Sequence, residues 1–154
     1  MKAGSPETQL ARFMAKYTPD IGGVANEVLA KMRELTPGAV EMVYDNYNVL
    51  VIGFGPTDRA SEAIFSIVVY PRWVSLFFLQ GAKLRDPHKV LKGKGSVVRH
   101  IVLEDAMDLE KPEIQAIIST ALESAAKPLD AANSRRLIIK SVSAKQRPRR
   151  PSGQ

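Results

Sequence analysis

Three consecutive runs of strand-forming residues restrict the possible folds of this chain most. They are YNVLVIGFG (47–55), SEAIFSIVVYP (61–71) and RWVSLFFLQG (72–81). Turn residues separate the runs, first between Gly53 and Arg59 and then at Pro71 and Arg72. Strands joined by such short connections pair antiparallel. The sequence therefore predicts a meander of three strands, and VVRHIVLED (97–105) predicts a fourth strand.

Helical periodicity precedes the strand region. Apolar residues between Leu10 and Tyr17 recur at i, i+3, i+4 and i+7, which is the spacing of one helix face. Thr18 and Pro19 then supply the N-cap and the first residue of a second helix, which continues to about Leu35. Both helices have an apolar face that a sheet can cover.

Two further helices are predicted. Thr36 and Pro37 repeat the start signal, and a brief helix as far as Tyr44 is expected. From Pro112 onward, Ile, Leu and Ala recur at helical spacing in an amphipathic helix that ends before Pro128. Helices before and after an antiparallel sheet indicate the α+β class, with two layers and the helices on one face of the sheet.

Length and composition favour one domain. The chain has 154 residues, of which 45% are hydrophobic and 25% charged, as in ordinary globular proteins. We expect a disordered N-terminus (1–7), a single domain (8–134) and a basic C-terminal extension (135–154) that is mostly disordered. Its first part, RRLIIKSV (135–142), can form a short edge strand or a packed extension, so the sheet should have about four to five strands.

Several function classes are disfavoured by composition. The chain has no cysteine, which excludes disulfides, thiolate catalysis and cysteine-based metal sites. Residues 1–10 are polar and contain no apolar run typical of a secretory signal. No apolar stretch approaches the ~20 residues of a membrane-spanning helix. We therefore expect a cytoplasmic protein.

Charge is segregated along the chain. Seven bases and no acid follow Asp130, and the rest of the chain has 15 bases and 16 acids. Within that rest, residues 81–100, here called the basic segment, hold six bases and one acid and so have a net charge of +5. The high isoelectric point is thus a property of the C-terminal extension, whereas the basic segment is a local feature of the domain.

The basic segment is the best candidate for a binding site. Asp86 and Pro87 predict one helical turn with Asp86 as N-cap, and free N–H groups at such a turn attract anions. Glycines 93 and 95 let the backbone approach a ligand closely. His88 would make binding pH-sensitive, because an unperturbed imidazole titrates near ~6.5. The candidate ligand-binding residues are Lys83, Arg85, Asp86, His88, Lys94 and Arg99. The alternative is a solvated, charged loop between two strands.

Other motifs point away from enzymes and cofactors. Gly53 and Gly55 follow a strand, but a strand and not a helix comes next, so a dinucleotide fingerprint is absent. The GKGS sequence at 93–96 lacks the upstream glycine that a phosphate-binding loop requires. His88 and His100 have no zinc-ligand spacing, and no serine lies in a nucleophile elbow. The sequence therefore predicts no catalytic residue and no cofactor.

One acidic stretch leaves a metal alternative open. Residues 104–113 contain five acids, and Glu104, Asp105 and Asp108 could ligate a hard cation through carboxylate oxygens. The competing interpretation is that these acids precede and begin the helix that starts at Pro112, where they complement its dipole.

The sequence GAKLRDPHKVLKGKGSVVRHIVL resembles the signature block of the YdhG-like domain family, also called domain of unknown function 1801. The matching positions are Gly81, Leu84, Asp86, Pro87, Leu91, Gly93, Gly95 and Arg99. The likeness covers roughly residues 20–125. It departs at VYDNYN (43–48), where the family often has a Trp-Gly-x-Pro-x-Tyr element, and at Ser96, where lysine is usual. The resemblance implies a curved antiparallel sheet. Because some relatives are described as frataxin-like iron chaperones, the resemblance also implies a role in iron binding as an alternative.

These observations predict a non-enzymatic, cytoplasmic protein that binds a small anionic ligand or an acidic partner surface through the basic segment. The first alternative is frataxin-like iron binding or iron delivery by the acidic stretch. The second is non-specific nucleic-acid contact through the C-terminal extension, whose bases would bind phosphates. No membrane contact is predicted, and the sequence leaves the oligomeric state open.

Overall fold

The computed structural model describes residues 4–151. Its helices are α1 (Pro6–Ala15), α2 (Pro19–Leu35) and α3 (Pro112–Ser124). Its strands are β1 (Val40–Asp45), β2 (Leu50–Gly55), β3 (Phe65–Val69), β4 (Val74–Phe78), β5 (Arg99–Leu103) and β6 (Arg136–Val142). Short 3-10 helices lie in the connections at Ala60–Glu62, Gly81–Lys83 and Ala106–Glu110. The protein is α+β, as the sequence predicts. No helix among residues 4–151 is long and apolar enough to cross a membrane.

The strands form one six-stranded sheet in the order β5-β4-β3-β2-β1-β6. From β1 to β5 every neighbouring pair is antiparallel, which confirms the predicted meander and fourth strand. The prediction of about four to five strands, all antiparallel, needs correction. Strand β6 pairs parallel with β1, with Arg136 opposite Val40, so the sheet is mixed at one edge.

Strand β1 replaces the brief helix predicted after Pro37. The Thr36 hydroxyl donates to the Met32 carbonyl at 2.6 Å, so it closes α2 and does not cap a new helix. Gly38 follows with φ +82°, and a Cβ there would lie 2.0 Å from the Asp130 carbonyl oxygen. Only glycine fits this left-handed, closely packed position. The chain therefore turns tightly out of α2 and enters the sheet.

The two faces of the sheet have different roles. One face, the helix-covered face, carries the cross-strand row Val43, Ile52, Ile67, Leu76 and Ile101. This row packs with the apolar faces of all three helices in a single core. The alternate residues of the strands form the opposite face, here called the open face, where no helix of the described residues packs. Burying one face in this way is the two-layer arrangement typical of α+β domains.

Regular structure and side-chain contacts extend into both ends of the chain, where the sequence predicts disorder. Helix α1 begins at Pro6, with the Ser5 hydroxyl accepting from the Thr8 N–H, so residues 6–7 are helical. Strand β6 is the edge strand that residues 135–142 offered as one alternative. Residues 144–151 then pack against the β1–β2 hairpin and α1. Residues 1–3 and 152–154 lie outside the described part.

An internal ion cluster holds the C-terminal extension in place. Arg149 is 4% exposed, and its guanidinium donates to the Asp45 carboxylate at 2.8 Å and to the carbonyl of Tyr47 at 3.2 Å. The other carboxylate oxygen of Asp45 accepts from Lys16 at 2.7 Å. Burial alone would raise the pKa of Asp45, but these bonds and one involving Gln146 outweigh it and hold that pKa below its usual range.

Candidate functional site

The basic segment begins close to β5. The 3-10 helix Gly81–Lys83 lies against the start of that strand, where a Cβ on Gly81 would approach the Arg99 backbone nitrogen to 2.9 Å. The Ala82 N–H also donates to the Val97 carbonyl at 2.9 Å. These contacts fix the position of Lys83 relative to the sheet, because they hold the first residues of the basic segment against its last residues, at the start of β5.

The predicted helical turn at Asp86 is a tight turn instead. The Lys89 N–H donates to the Asp86 carbonyl at 3.1 Å, and Lys89 has φ +54°. The Asp86 carboxylate accepts from the N–H groups of Val90 and Leu91 at 3.0 and 2.9 Å. The Asp86 carboxylate therefore occupies the N–H groups of the two residues that follow the turn, and the helical N-terminus that was to attract an anion does not form.

The six predicted ligand-binding residues do not meet at one point. The Arg99 guanidinium donates to the carbonyls of Gly95 and Val98, so it stabilises the loop that precedes its own strand. Arg85, His88 and Lys94 are exposed and make no side-chain hydrogen bond within residues 4–151. The sixth residue, Lys83, lines a cavity, and it is the single one of the six to do so in the described structure.

This cavity, of about 300 Å³, lies between the end of α3, residues 61–64 and residues 80–84. Its walls are mostly apolar and are formed by Ala63, Ile64, Phe78, Leu84, Ala121, Ala125 and Ala126. Polar side chains lie around it, namely Ser61, Glu62, Gln80, Lys83, Ser124 and Lys127. A concave apolar site with a few polar groups is the usual form of a small-molecule site, and this volume is at the small end of the common ~300–1,000 Å³ range.

The charges of the cavity are unequal. Glu62 accepts from the Thr57 hydroxyl and pairs with Lys127 at 3.0 Å, and these contacts lower the pKa of Glu62. Lys83 forms no ion pair within residues 4–151, and the Gln80 side chain makes no capping bond to the helix that follows it. The described lining thus has one positive charge that no carboxylate offsets, together with a free amide.

The acids proposed as metal ligands are used to stabilise local structure. The Asp105 carboxylate caps the 3-10 helix Ala106–Glu110 by accepting from the Met107 N–H at 2.8 Å. The Asp108 carboxylate accepts from the Glu104 N–H at 2.8 Å and pairs with Lys111 at 3.1 Å. Residues 4–151 contain no group of three side chains placed to hold a metal ion. Iron binding by Glu104, Asp105 and Asp108 therefore has no assembled ligand set in the part described.

Most bases of the C-terminal extension are also engaged within the molecule. Arg135 pairs with Glu7 at 3.1 Å, and Arg136 pairs with Asp58 at 3.5 Å. Lys140, Arg149 and Arg150 donate to backbone carbonyl groups. Two bases, Lys145 and Arg147, make no side-chain contact of this kind within the described residues. This weakens the hypothesis that the extension is a nucleic-acid-binding tail.

Sequence reasoning missed most of the cavity. Its residues come from three separated stretches of the chain (61–64, 78–84 and 121–127), and none of them forms a recognisable motif. The one available signal is the run of small residues Ala125–Ala126 after α3, which leaves space beside Phe78. Comparison of the chain with protein-family models, curated proteins and solved structures found no match. The resemblance to the YdhG-like family therefore stays a prediction from the residues.

Proposed function

We propose that this protein binds a small molecule that has an apolar body and one anionic group, with the body in the cavity beside α3 and the anion at Lys83. The observation that carries the proposal is the unpaired Lys83 ammonium group on the rim of a mostly apolar cavity. The proposal restricts the predicted binding site from the whole basic segment to Lys83 and the cavity beside it. The predicted cytoplasmic location and the absence of catalysis are part of the same proposal and rest on the sequence.

The apolar walls favour a ligand with a hydrocarbon or aromatic body. Phe78 forms part of the core and is 1% exposed, so its ring offers a fixed surface to the cavity. Its edge-to-face contact with Phe65 at 5.4 Å holds the ring in position. A rigid apolar wall favours binding because little side-chain freedom is lost when a ligand enters.

The charge at the rim favours an anion over a neutral ligand. Because Glu62 is already paired with Lys127, a second cation is not required there, and Lys83 is free to pair with the ligand. Hydrogen bonds that involve a charged group are stronger than neutral ones. The remaining exposed bases of the basic segment, Arg85 and Lys94 among them, would attract anions toward this end of the molecule.

Binding of carboxylic acids can test the proposal. Benzoate, hexanoate and octanoate would each be compared with the corresponding uncharged primary amide by saturation-transfer difference NMR and competition titration. We expect the acid to bind more tightly than its amide. Lys83→Met should weaken acid binding about tenfold and leave amide binding unchanged, since it removes one charge-assisted bond.

Two control variants separate the cavity from general basicity. Arg85→Met removes the same charge from an exposed neighbour that does not line the cavity, and it should leave acid binding within about twofold of the wild-type protein. Ala125→Phe should fill the cavity and abolish binding of acids and amides alike. Equal binding of acids and amides to the wild-type protein, or unchanged binding by Ala125→Phe, would disprove the proposal.

A further inference from the structure

The open face of the sheet is covered on one side only. The loop between β2 and β3 reaches across to β6, where the Asp58 carbonyl accepts from Lys140 at 2.9 Å and the Asp58 carboxylate pairs with Arg136. On this side Met42 is completely buried although no helix lies over it. Toward the other edge, on β3, β4 and β5, no described segment takes the place of this loop.

The uncovered part presents two pairs of stacked rings. Tyr70 and Trp73 stack with centroids 4.5 Å apart and planes at 26°, and Phe77 and His100 stack at 5.1 Å and 22°. Trp73 is 43% exposed. Because Trp73 and Phe77 lie four residues apart along one extended chain, the two pairs are separated by about 13 Å. The face therefore carries two stacked ring pairs in a line, neither of which is part of the core.

Positive charge borders these rings. Lys92 and His100 exchange both backbone hydrogen bonds, at 2.8 and 2.9 Å, as directly opposed residues of an antiparallel bridge. Opposed residues project to the same face of a sheet, so Lys92 extends the row of Phe77 and His100. Arg72 precedes Trp73 at the other ring pair and is exposed. Within residues 4–151, neither Arg72 nor Lys92 forms an ion pair.

We infer that the open face between β3 and β5 binds single-stranded nucleic acid, with bases stacking near Trp73 and Phe77 and phosphates near Arg72 and Lys92. Flat rings combined with unpaired cations are the arrangement that recognises a single strand, because every base has an apolar face and every linkage has a negative charge. A duplex hides its base faces and does not match this surface. Glu104 directly follows β5 at the end of the strand near Trp73, and its negative charge would repel phosphates, so it marks the end of the site on that side.

The surface differs from the cavity proposed above and from the C-terminal extension. It uses the outer edge of the basic segment, at Lys92, whereas the cavity uses the inner edge, at Lys83. The two proposals can therefore fail independently. Nucleic-acid binding through this face also does not require the bases of residues 135–151, most of which already have partners.

The single tryptophan of the chain makes a direct experiment possible. Full-length protein would be titrated at low salt with fluorescein-labelled dT12 and rU12 and with a 12-base-pair duplex, following anisotropy and, with unlabelled oligonucleotides, Trp73 emission. We expect the single strands to bind more tightly than the duplex and to quench Trp73. Trp73→Ala should weaken single-strand binding about tenfold, and Trp73→Phe should restore most of it.

A matched pair of double variants tests the charges. Arg72→Ala with Lys92→Ala should weaken binding at least about tenfold and flatten its dependence on salt. Arg12→Ala with Arg147→Ala removes the same charge from exposed positions on α1 and in the C-terminal extension, and it should change binding less than about threefold. Circular dichroism and thermal unfolding would confirm that each variant is folded.

Three results would overturn the inference. The first is unchanged Trp73 emission when the oligonucleotide is saturating. The second is equal weakening by the two double variants, which would mean that only net charge matters. The third is a concentration-dependent dimer, measured by analytical ultracentrifugation, that Trp73→Ala converts to a monomer, since the face would then be covered by a second copy of the chain.

Discussion

Replacing Arg149 by alanine should destabilise the protein far more than its place near the end of the chain suggests. The residue lies in the sequence QRPRRP (146–151), whose three arginines and two prolines give it the composition of a disordered tail. In the folded protein its guanidinium is buried and donates to the Asp45 carboxylate and to the carbonyls of Asn46 and Tyr47. The substitution therefore leaves an ionised carboxylate and several carbonyl groups with fewer donors in a buried position.

The expected loss of stability follows from those contacts. Removing one partner of a buried ion pair costs about 3–5 kcal/mol when the other charge is left alone. Asp45 is not left alone, because Lys16 still donates to it at 2.7 Å. Lys16 is 40% exposed, however, and water weakens its contribution. We therefore expect the free energy of unfolding to fall by about 3 kcal/mol, which corresponds to about 6–12 °C in Tm for a chain of this length.

Chemical denaturation at pH 7 would measure the change, with Arg147→Ala as the control. Arg147 is exposed, so its loss should change the free energy of unfolding by less than about 0.5 kcal/mol. The difference between the wild-type protein and Arg149→Ala should also shrink as the pH falls below the unfolded value of ~3.9, and it should be lost once the pH passes the lowered pKa of Asp45 in the folded wild-type protein. An Arg149→Ala variant as stable as Arg147→Ala would refute the reasoning, and so would a difference that does not change with pH.

Three further predictions follow from other buried groups. The pKa of Asp45 is lowered in the folded protein, so this carboxylate stabilises the fold above the unfolded value of ~3.9, and the stabilisation is lost as the pH falls through the folded value. The urea concentration at the unfolding midpoint should therefore be constant from pH 7 to 5 and should drop below about pH 4. Tyr17→Phe should cost about 2 kcal/mol in denaturation experiments, since the hydroxyl donates to the Val69 carbonyl at 2.7 Å and accepts from the Leu50 N–H at 3.1 Å; a loss below about 0.5 kcal/mol would show that water replaces it. Gly38→Ala should lower Tm by more than 10 °C or prevent folding, whereas Gly23→Ala, in open space on α2, should leave Tm unchanged or raise it.

The elements that the sequence predicts correctly are those whose signals are local. Helix α2 begins where Thr18 and Pro19 indicate, and β2 to β4 lie within the three alternating runs, because capping and side-chain period depend only on neighbouring residues. The same reasoning failed at Thr36, whose sequence context imitates that of Thr18. Thr36 differs from Thr18 because its hydroxyl donates to the Met32 carbonyl in the preceding helix turn. In addition, Gly38 packs against Asp130, which is distant in sequence.

The candidate site was less predictable than the fold. Charge counting selected residues 81–100, and within them Lys83 does line a cavity, but the other walls come from α3 and the β2–β3 connection. The sequence identifies Asp86 as a capping residue, but it does not show that the Asp86 carboxylate accepts hydrogen bonds from the N–H groups of Val90 and Leu91. Composition predicts disorder in the C-terminal extension. It cannot show that the buried Asp45 carboxylate, about a hundred residues earlier in the chain, binds Arg149 and so orders the extension.

The distance in sequence between Asp45 and Arg149 has a consequence for folding during synthesis. At about 5–20 residues per second, a ribosome that has added Asp45 needs about 5–20 s to reach Arg149. During that interval the helices and the first five strands can begin to associate, but the carboxylate has no arginine beside it and β1 has an unpaired edge. We expect the nascent chain to hold that hairpin loosely and in contact with water, and to become resistant to protease only after residue 149 has left the exit tunnel.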